Sequence, residues 1–304
     1  MGYPVLVIRR QLVHSFTHAA LSPEPDLAVA ALMIARVEYP KLDAGPYLDE
    51  LDAIGREART RVSAAEIVEG AAPAGVDPER HAQVLALNQY LFGEMRFVGN
   101  ELHYGDPRNS FLNEVLERRT GIPITLALLY IEIARRAGLA IEGVNFPDHF
   151  LMRCRARRGT AYDDLIIDAF HGGALLSRDA LERRAERAGR PGASRLDALL
   201  RRATKPQILA RMLVNLKHLY VEMRSFPQAR DVTELLIAVD PSAITELRDR
   251  GLLAYHLNDF SAALRDLQAY LRLASSSPNE SDRTEQAKIW EHVKTLRKRV
   301  ASLN

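Results

Sequence analysis

The run that begins at Pro123 constrains this chain more than any other stretch. Between Ile124 and Ala134 only Thr125 and Glu132 are clearly polar, with Tyr130 amphipathic. A helix that is apolar on nearly all sides has to be enclosed by other elements, so it belongs in the middle of a domain. Its start is explicit, because proline is tolerated at the first helical position, where its missing N–H has no partner to lose. The longest apolar stretch, Ile122 to Ile131, is too short to span a bilayer.

Helical signals dominate before this run. Leu27, Ala30, Ala31, Ile34 and Ala35 fall on one face, and Pro40 ends that pattern. Leu48, Leu51 and Ile54 mark a second helix, and Val84, Leu87 and Leu91 a third, with a Gly/Pro loop over 69–80 between them. A further helix over 109–119 carries Phe111, Leu112, Val115 and Leu116, with Arg118 and Arg119 in its last turn and Gly121 placed for the stop. Residues 1–23 show no sustained period and read as an irregular or partly ordered arm. After Gly138 the character changes. Ile141–Phe146, His149–Arg155 and Leu165–Phe170 read as antiparallel strands, the last two separated by a polar loop over 156–164. Helices followed by strands imply an α+β domain. Residues 178–205 read as an Arg-rich helical connector interrupted at Gly189–Gly192.

The remainder repeats. An offset of 34 residues sets Phe226 over Phe260, Ala229 over Ala263, Leu219 over Leu253, Leu236 over Tyr270 and Val239 over Leu273. Each copy has a helix, a turn (RSFP, LNDF) and a second helix, which is the tetratricopeptide period. The copies span about 207–241 and 242–275. SSSP (275–278) ends the second, and 282–303, with Trp290, supplies a capping helix.

Composition narrows the function classes. Forty-one Lys+Arg against 39 Asp+Glu leave +2, which excludes retention on nucleic acid by bulk charge. Residues 153–205 are locally +6, yet Asp179–Arg183 and Glu186–Arg190 have the spacing of helix-surface pairs, and no aromatic side chain interleaves 178–205 as a stacking platform. A nucleic-acid-associated regulator acting through that segment is therefore a minor alternative. One cysteine, Cys154, excludes an intrachain disulfide and any multi-cysteine zinc site. The start, MGYPVLVIRRQLVHSF, lacks the order of a signal peptide, so a cytoplasmic location is expected, without membrane attachment.

A buried central helix followed by strands suits one catalytic arrangement. A cysteine at the helix N-terminus has its thiol pKa lowered, a histidine on an adjacent strand takes its proton, and an acidic residue on the next strand orients that histidine. His149 and Asp168 sit on consecutive predicted strands, 19 residues apart. His149, His171, Asp163, Asp164 and Asp168 are also close in sequence, but no metal-binding spacing supports a metal centre, and nothing implies a cofactor.

The segment RTGIPITLA (119–127) resembles the Arg-x-Gly-x-Cys-x-x-x-Ala motif of the transglutaminase-like fold. The blocks DPRNSFLNEVLERRTGIPITLALLYIEIARRAGL (106–139), GVNFPDHFLMR (143–153), DAFHGG (168–173) and RMLVNLKHLY (211–220) are similar to the SirB-type bacterial proteins. Those proteins join a transglutaminase-like domain to tetratricopeptide repeats. The resemblance implies a transglutaminase-like (papain-like) α+β domain over 1–190 and an all-α repeat module over 191–304. It also makes His149 and Asp168 a remnant catalytic pair, with Pro123 at the nucleophile position. Thr125, two residues on, points roughly 200° around the helix from that position. Cys154, five residues past His149, falls on the opposite strand face roughly 16 Å along.

Cysteine chemistry is not expected. The expected function is regulatory or scaffolding, with protein or peptide partners held by a degenerate cleft and the repeats. Asn109, Asn113, Thr125 and Asn145 are the candidate polar contacts. The competing reading is a hydrolase or acyltransferase that uses His149 and Asp168 with Thr125 or water as nucleophile.

Overall fold

The computed structural model describes residues 3–23, 25–147, 149–189, 193–274 and 280–301. Helix α1 (Tyr3–Leu21) is followed by α2 (Leu27–Ala35), α3 (Gly45–Ser63) and α4 (Pro78–Asn88). Asp26 caps α2 by accepting from Val29 N at 3.0 Å, and Asp77 caps α4 by accepting from Glu79 N and Arg80 N. Helix α4 runs into a wider turn over Gln89–Glu94. Two short strands, β1 (Val98–Gly99) and β2 (Thr120–Gly121), pair in parallel around α5 (Leu112–Arg118). Then come α6 (Pro123–Ala137) and strands β3 (Ile141–Val144), β4 (Leu151–Cys154), β5 (Leu165–Asp168) and β6 (Ala174–Leu176). The remainder is helical: α7 (Arg178–Arg187), α8 (Ala193–Leu199), α9 (Lys205–Glu222), α10 (Phe226–Val239), α11 (Ile244–His256), α12 (Phe260–Ala274) and α13 (Glu280–Ala301).

Residues 23–212 form one compact unit of α+β character. Strands β3 to β6 make an antiparallel meander in sequence order, with Met152 opposite Ile167 and Asp168 opposite Ala174. Helix α6 is buried over nearly its whole surface, and even Glu132 is enclosed, its carboxylate held by Arg135 at 2.9 Å and Arg136 at 2.6 Å. Arg136 also reaches Asp52 of α3 at 2.7 Å, so the last turn of α6 is joined to the middle of α3. Both sheet faces are covered, which is why β5 is buried at every position. Val144, Leu151 and Ile166 pack with Leu181, Ala185 and Leu196 of α7 and α8. The loop over 156–164 is tied to α4 by Arg157, whose Nε lies 2.8 Å from the capping carboxylate of Asp77.

Residues 1–22 and 213–304 form the other unit. The structure corrects the irregular arm expected at the start of the chain: α1 is a helix that packs on α10 and buries Phe16 and Ala20. A helix of this kind is held by tertiary packing more than by its own propensity. The repeat extends to the backbone. Arg224 and Asn258, in register at the 34-residue offset, both adopt left-handed φ values (56° and 58°) where the first helix of each copy ends. Ala229 and Ala263 are fully buried. Lys217 of α9 sits in a buried ion cluster with Glu246 and Asp249 of α11, with contacts of 2.6 to 2.9 Å. Helix α13 lies where the capping helix was expected and closes the core with Ile289, Val293 and Leu296. The SSSP segment falls outside the described residues, as do 190–192 in the expected break between α7 and α8.

Two boundaries differ from the sequence reading. The helix expected over 109–119 divides into a tight turn at Pro107–Ser110 and α5, and it stops at Arg119 rather than Gly121. Arg119 takes a left-handed conformation (φ 56°), with its guanidinium 2.9 Å from Glu50 and over the Phe97 ring. The strand expected from His149 begins at Leu151, which leaves His149 in the preceding turn.

Phe16→Ala is expected to cost about 3–5 kcal/mol and to lower the midpoint of urea unfolding. An unchanged midpoint would mean that α1 is a dispensable arm.

Candidate functional site

The end of β5 carries Asp168, which is fully buried. The β4–β5 register carries the chain before Leu151 past the end of β5, so His149 faces Asp168 although it precedes the strand. His149 Nε2 lies 2.8 Å from Asp168 Oδ1. Three residues after Asp168, across a tight turn (Ala169–His171) in which such positions nearly eclipse, His171 Nδ1 lies 2.9 Å from Oδ2. The Phe170 backbone N–H donates to Oδ1 at 3.2 Å, and Arg184 of α7 places its guanidinium 3.2 Å from Oδ2. Burial pushes the Asp168 carboxyl up, but the hydrogen bonds and charges of His149 and then His171 outweigh it and bring it down to about 2.

Aromatic rings surround this carboxylate. Phe170 meets the His149, His171 and Tyr104 rings edge-on at 6.1, 5.2 and 6.0 Å, and the two imidazoles stack at 5.9 Å. Phe170 fits because residue 99 is glycine: a Cβ there would stand 2.5 Å from the Phe170 carbonyl oxygen. Outside this group, Tyr104 is half exposed and Leu102 on the same loop is 91% exposed.

The other candidates do not converge on this cluster as one set. Pro123 is buried at the first position of α6. Thr125, also buried, spends its hydroxyl on the helix start, accepting from Ile122 N at 3.1 Å and donating to Asn109 O at 2.6 Å. Asn109 uses its own amide to hold the 100–106 loop, donating to His103 O at 2.8 Å and accepting from Asn100 at 3.1 Å. Gly121 permits this arrangement, since a Cβ there would meet Thr125 Oγ1 at 2.9 Å. Asn145 is exposed and accepts from Arg211 at 3.1 Å. Asn113 lines a cavity with Tyr39 and Tyr47. Cys154 is buried beside Tyr130, and burial pushes its thiol up to about 11, far from the range of a reactive thiolate. Asp164 accepts from Ala156 N and Asp163 donates its N–H to Gly75 O, so both stabilise loops.

Sequence reasoning missed the full shell of Asp168. The signal for His171 was its three-residue spacing from Asp168 ahead of a Gly-Gly turn. Arg184 gave none, because nothing local relates α7 to the end of β5. Chemically, the cluster offers an oriented imidazole, an exposed second imidazole and an aromatic surface. His149, Asp168 and His171 each present one ligand atom, all within 4.8 Å of one another, which is compact enough for a divalent cation. As they stand, both ring nitrogens are hydrogen-bonded to the carboxylate and Arg184 already compensates its charge.

Comparison with known proteins follows the division of the chain. The profile of the transglutaminase-like superfamily matches residues 46–214, and a tetratricopeptide-repeat profile matches 216–290. A UPF0162 protein of Xylella fastidiosa is 36% identical over 256 residues, covering 83% of this chain and 85% of that protein. One from Pseudomonas aeruginosa is 30% identical, covering 84% and 87%. Human F-box only protein 21 is 35% identical over 187 residues, which are 59% of this chain and 29% of that longer protein. Among the described residues no helix is long and apolar enough to cross a membrane.

Because the Asp168 carboxyl is held below its ordinary value, the unfolded chain binds more protons than the folded one on the acid side. Its contribution is complete above about pH 4 and is lost as pH falls towards 2, and it is worth about 2 kcal/mol. Asp168→Asn should unfold more easily at neutral pH and show a shallower loss of stability between pH 5 and 2 in urea titrations. Equal slopes for the two proteins would contradict this. Gly99→Ala should displace Phe170 and cost about 1–3 kcal/mol by the same titration, whereas an unchanged midpoint would mean that the close approach is not felt.

Proposed function

Starting from the fact that this chain belongs to the transglutaminase-like superfamily, we propose that it works as a regulatory or scaffolding protein. It holds peptide segments of protein partners on the His149–Phe170–His171 surface and on its tetratricopeptide repeats, without cysteine chemistry. The observation that carries this reading is the start of α6. An imino acid occupies the first helical position, and the hydroxyl two residues on is spent between Ile122 and Asn109. The single thiol of the chain, Cys154, is buried and has a raised pKa. What the site keeps is recognition chemistry: aromatic rings, an exposed imidazole and apolar side chains on a loop, with polar groups already oriented. Paired helices of the tetratricopeptide type suit protein partners. The central block at 106–139 supports placing the chain in the SirB-type branch, and a lone, unpaired Cys154 accords with a cytoplasmic setting.

The test is panning a random-peptide library on the full-length protein, followed by calorimetric titration of the enriched peptides. Binding should weaken about tenfold or more in Leu102→Asp and His149→Ala, with the fold retained by circular dichroism. Incorporation of a fluorescent amine into a glutamine-containing protein, or ester hydrolysis abolished by His149→Ala, would show that catalysis survives.

A further inference from the structure

His149, Asp168 and His171 bring two imidazole nitrogens and a carboxylate oxygen within 4.8 Å of one another. Two histidines and one carboxylate make a donor set for zinc-class ions. Imidazole suits Zn²⁺, Ni²⁺ and Cu²⁺, whereas Mg²⁺ and Ca²⁺ take oxygen ligands. The spacing is close to what such an ion needs. Around a tetrahedral ion with ligands at about 2.0–2.1 Å, the ligand atoms stand about 3.3 Å apart. His149 Nε2 and His171 Nδ1 lie 2.8 and 2.9 Å from the carboxylate oxygens, so each has to draw back by only about 0.5 Å to admit one.

The ligands are also held in place from behind. Asp168 is fixed by the Phe170 N–H on Oδ1 and by Arg184 on Oδ2, and carboxylates in metal sites are ordinarily oriented by outer hydrogen bonds of this kind. His171 sits on a turn closed by a hydrogen bond from Gly173 N to Asp168 O at 2.9 Å. Gly172 and Gly173 both take left-handed φ values there (66° and 77°), which suits glycine. The two imidazole planes lie within 27° of parallel, and each meets Phe170 edge-on.

The hydrogen bonds that close the cluster are the ones an ion replaces, because each ring meets the carboxylate through the nitrogen that would ligate. Among the described residues neither His149 Nδ1 nor His171 Nε2 has a hydrogen-bond partner, so moving the ring proton to that nitrogen breaks no other bond. The His171 side chain is 46% exposed, which gives an ion a way in and leaves its remaining positions to water. Arg184 places a like charge beside the ion and so sets the expected affinity in the micromolar range rather than tighter.

We propose that His149 Nε2, His171 Nδ1 and the Asp168 carboxylate together bind one zinc-class divalent ion. The site shares His149 with the peptide-binding surface but does not rest on that reading. The ion is titrated with no peptide present, so the two can fail separately.

The test strips the full-length chain with a chelator, removes the chelator, and titrates with Zn²⁺ and Mg²⁺ by calorimetry. One equivalent of Zn²⁺ should bind and Mg²⁺ should not. Spectra of protein carrying ¹⁵N-labelled histidine should place the ion on Nε2 of His149 and on Nδ1 of His171, an asymmetry that scattered surface binding does not produce. His171→Ala, at an exposed position, and His149→Gln should each weaken Zn²⁺ about tenfold or more, with the fold retained by circular dichroism. His218→Ala, which removes an exposed histidine of α9, should leave the affinity unchanged. No saturable binding of Zn²⁺, equal binding of Mg²⁺, ring-nitrogen shifts confined to other histidines, wild-type affinity in His171→Ala, or lost affinity in His218→Ala overturns the inference.

Discussion

A single carboxylate organises the candidate site. Asp168 is out of water, and an isolated charge there would cost several kcal/mol. The fold offsets this with donors from four directions: the turn before β4, the backbone at Phe170, the tight turn at His171 and the outer helix α7. The β4–β5 register brings His149 to it, and the glycine at 99 gives Phe170 room beside it. Because the donors arrive on three different elements, the carboxylate acts as a joint. The orientation of both imidazoles, and of the aromatic surface they share with Phe170, follows from where it sits.

The second constraint is how α6 begins. On the proposed reading, the start of that helix is the position that a nucleophile partnered by His149 and Asp168 would take. Here the position is a proline, and the neighbouring hydroxyl closes the helix start against Asn109, which in turn pins the loop bearing Tyr104. Groups that elsewhere in chemistry would react are used here to hold a surface in shape. The proposed preference for recognition over turnover rests on that contrast, and helical repeats of this kind suit protein partners.

How far this was legible in sequence follows from the range of each interaction. The enclosed helix at Pro123 and the 34-residue repeat were readable because burial and periodicity are written locally, and the repeat holds down to the paired left-handed turns at Arg224 and Asn258. Helix α1 was not read as one, since it is supported by packing on α10, far away in sequence. The stop at Arg119 was missed because a non-glycine left-handed residue is stabilised by Glu50 and Phe97, both distant in sequence. The pairing of His149 with Asp168 was visible from order and spacing. The contribution of Arg184 and the separation of Asn113 into another cavity depend on three-dimensional proximity alone.

The most direct test of the central claim is intact-mass spectrometry of the full-length protein after prolonged exposure to acyl donors, a glutamine-containing peptide and an activated ester, followed by rapid acid quenching. The account predicts an unshifted mass at every time point. A trapped acyl adduct on Thr125, Cys154 or His149, absent from His149→Ala, would contradict it.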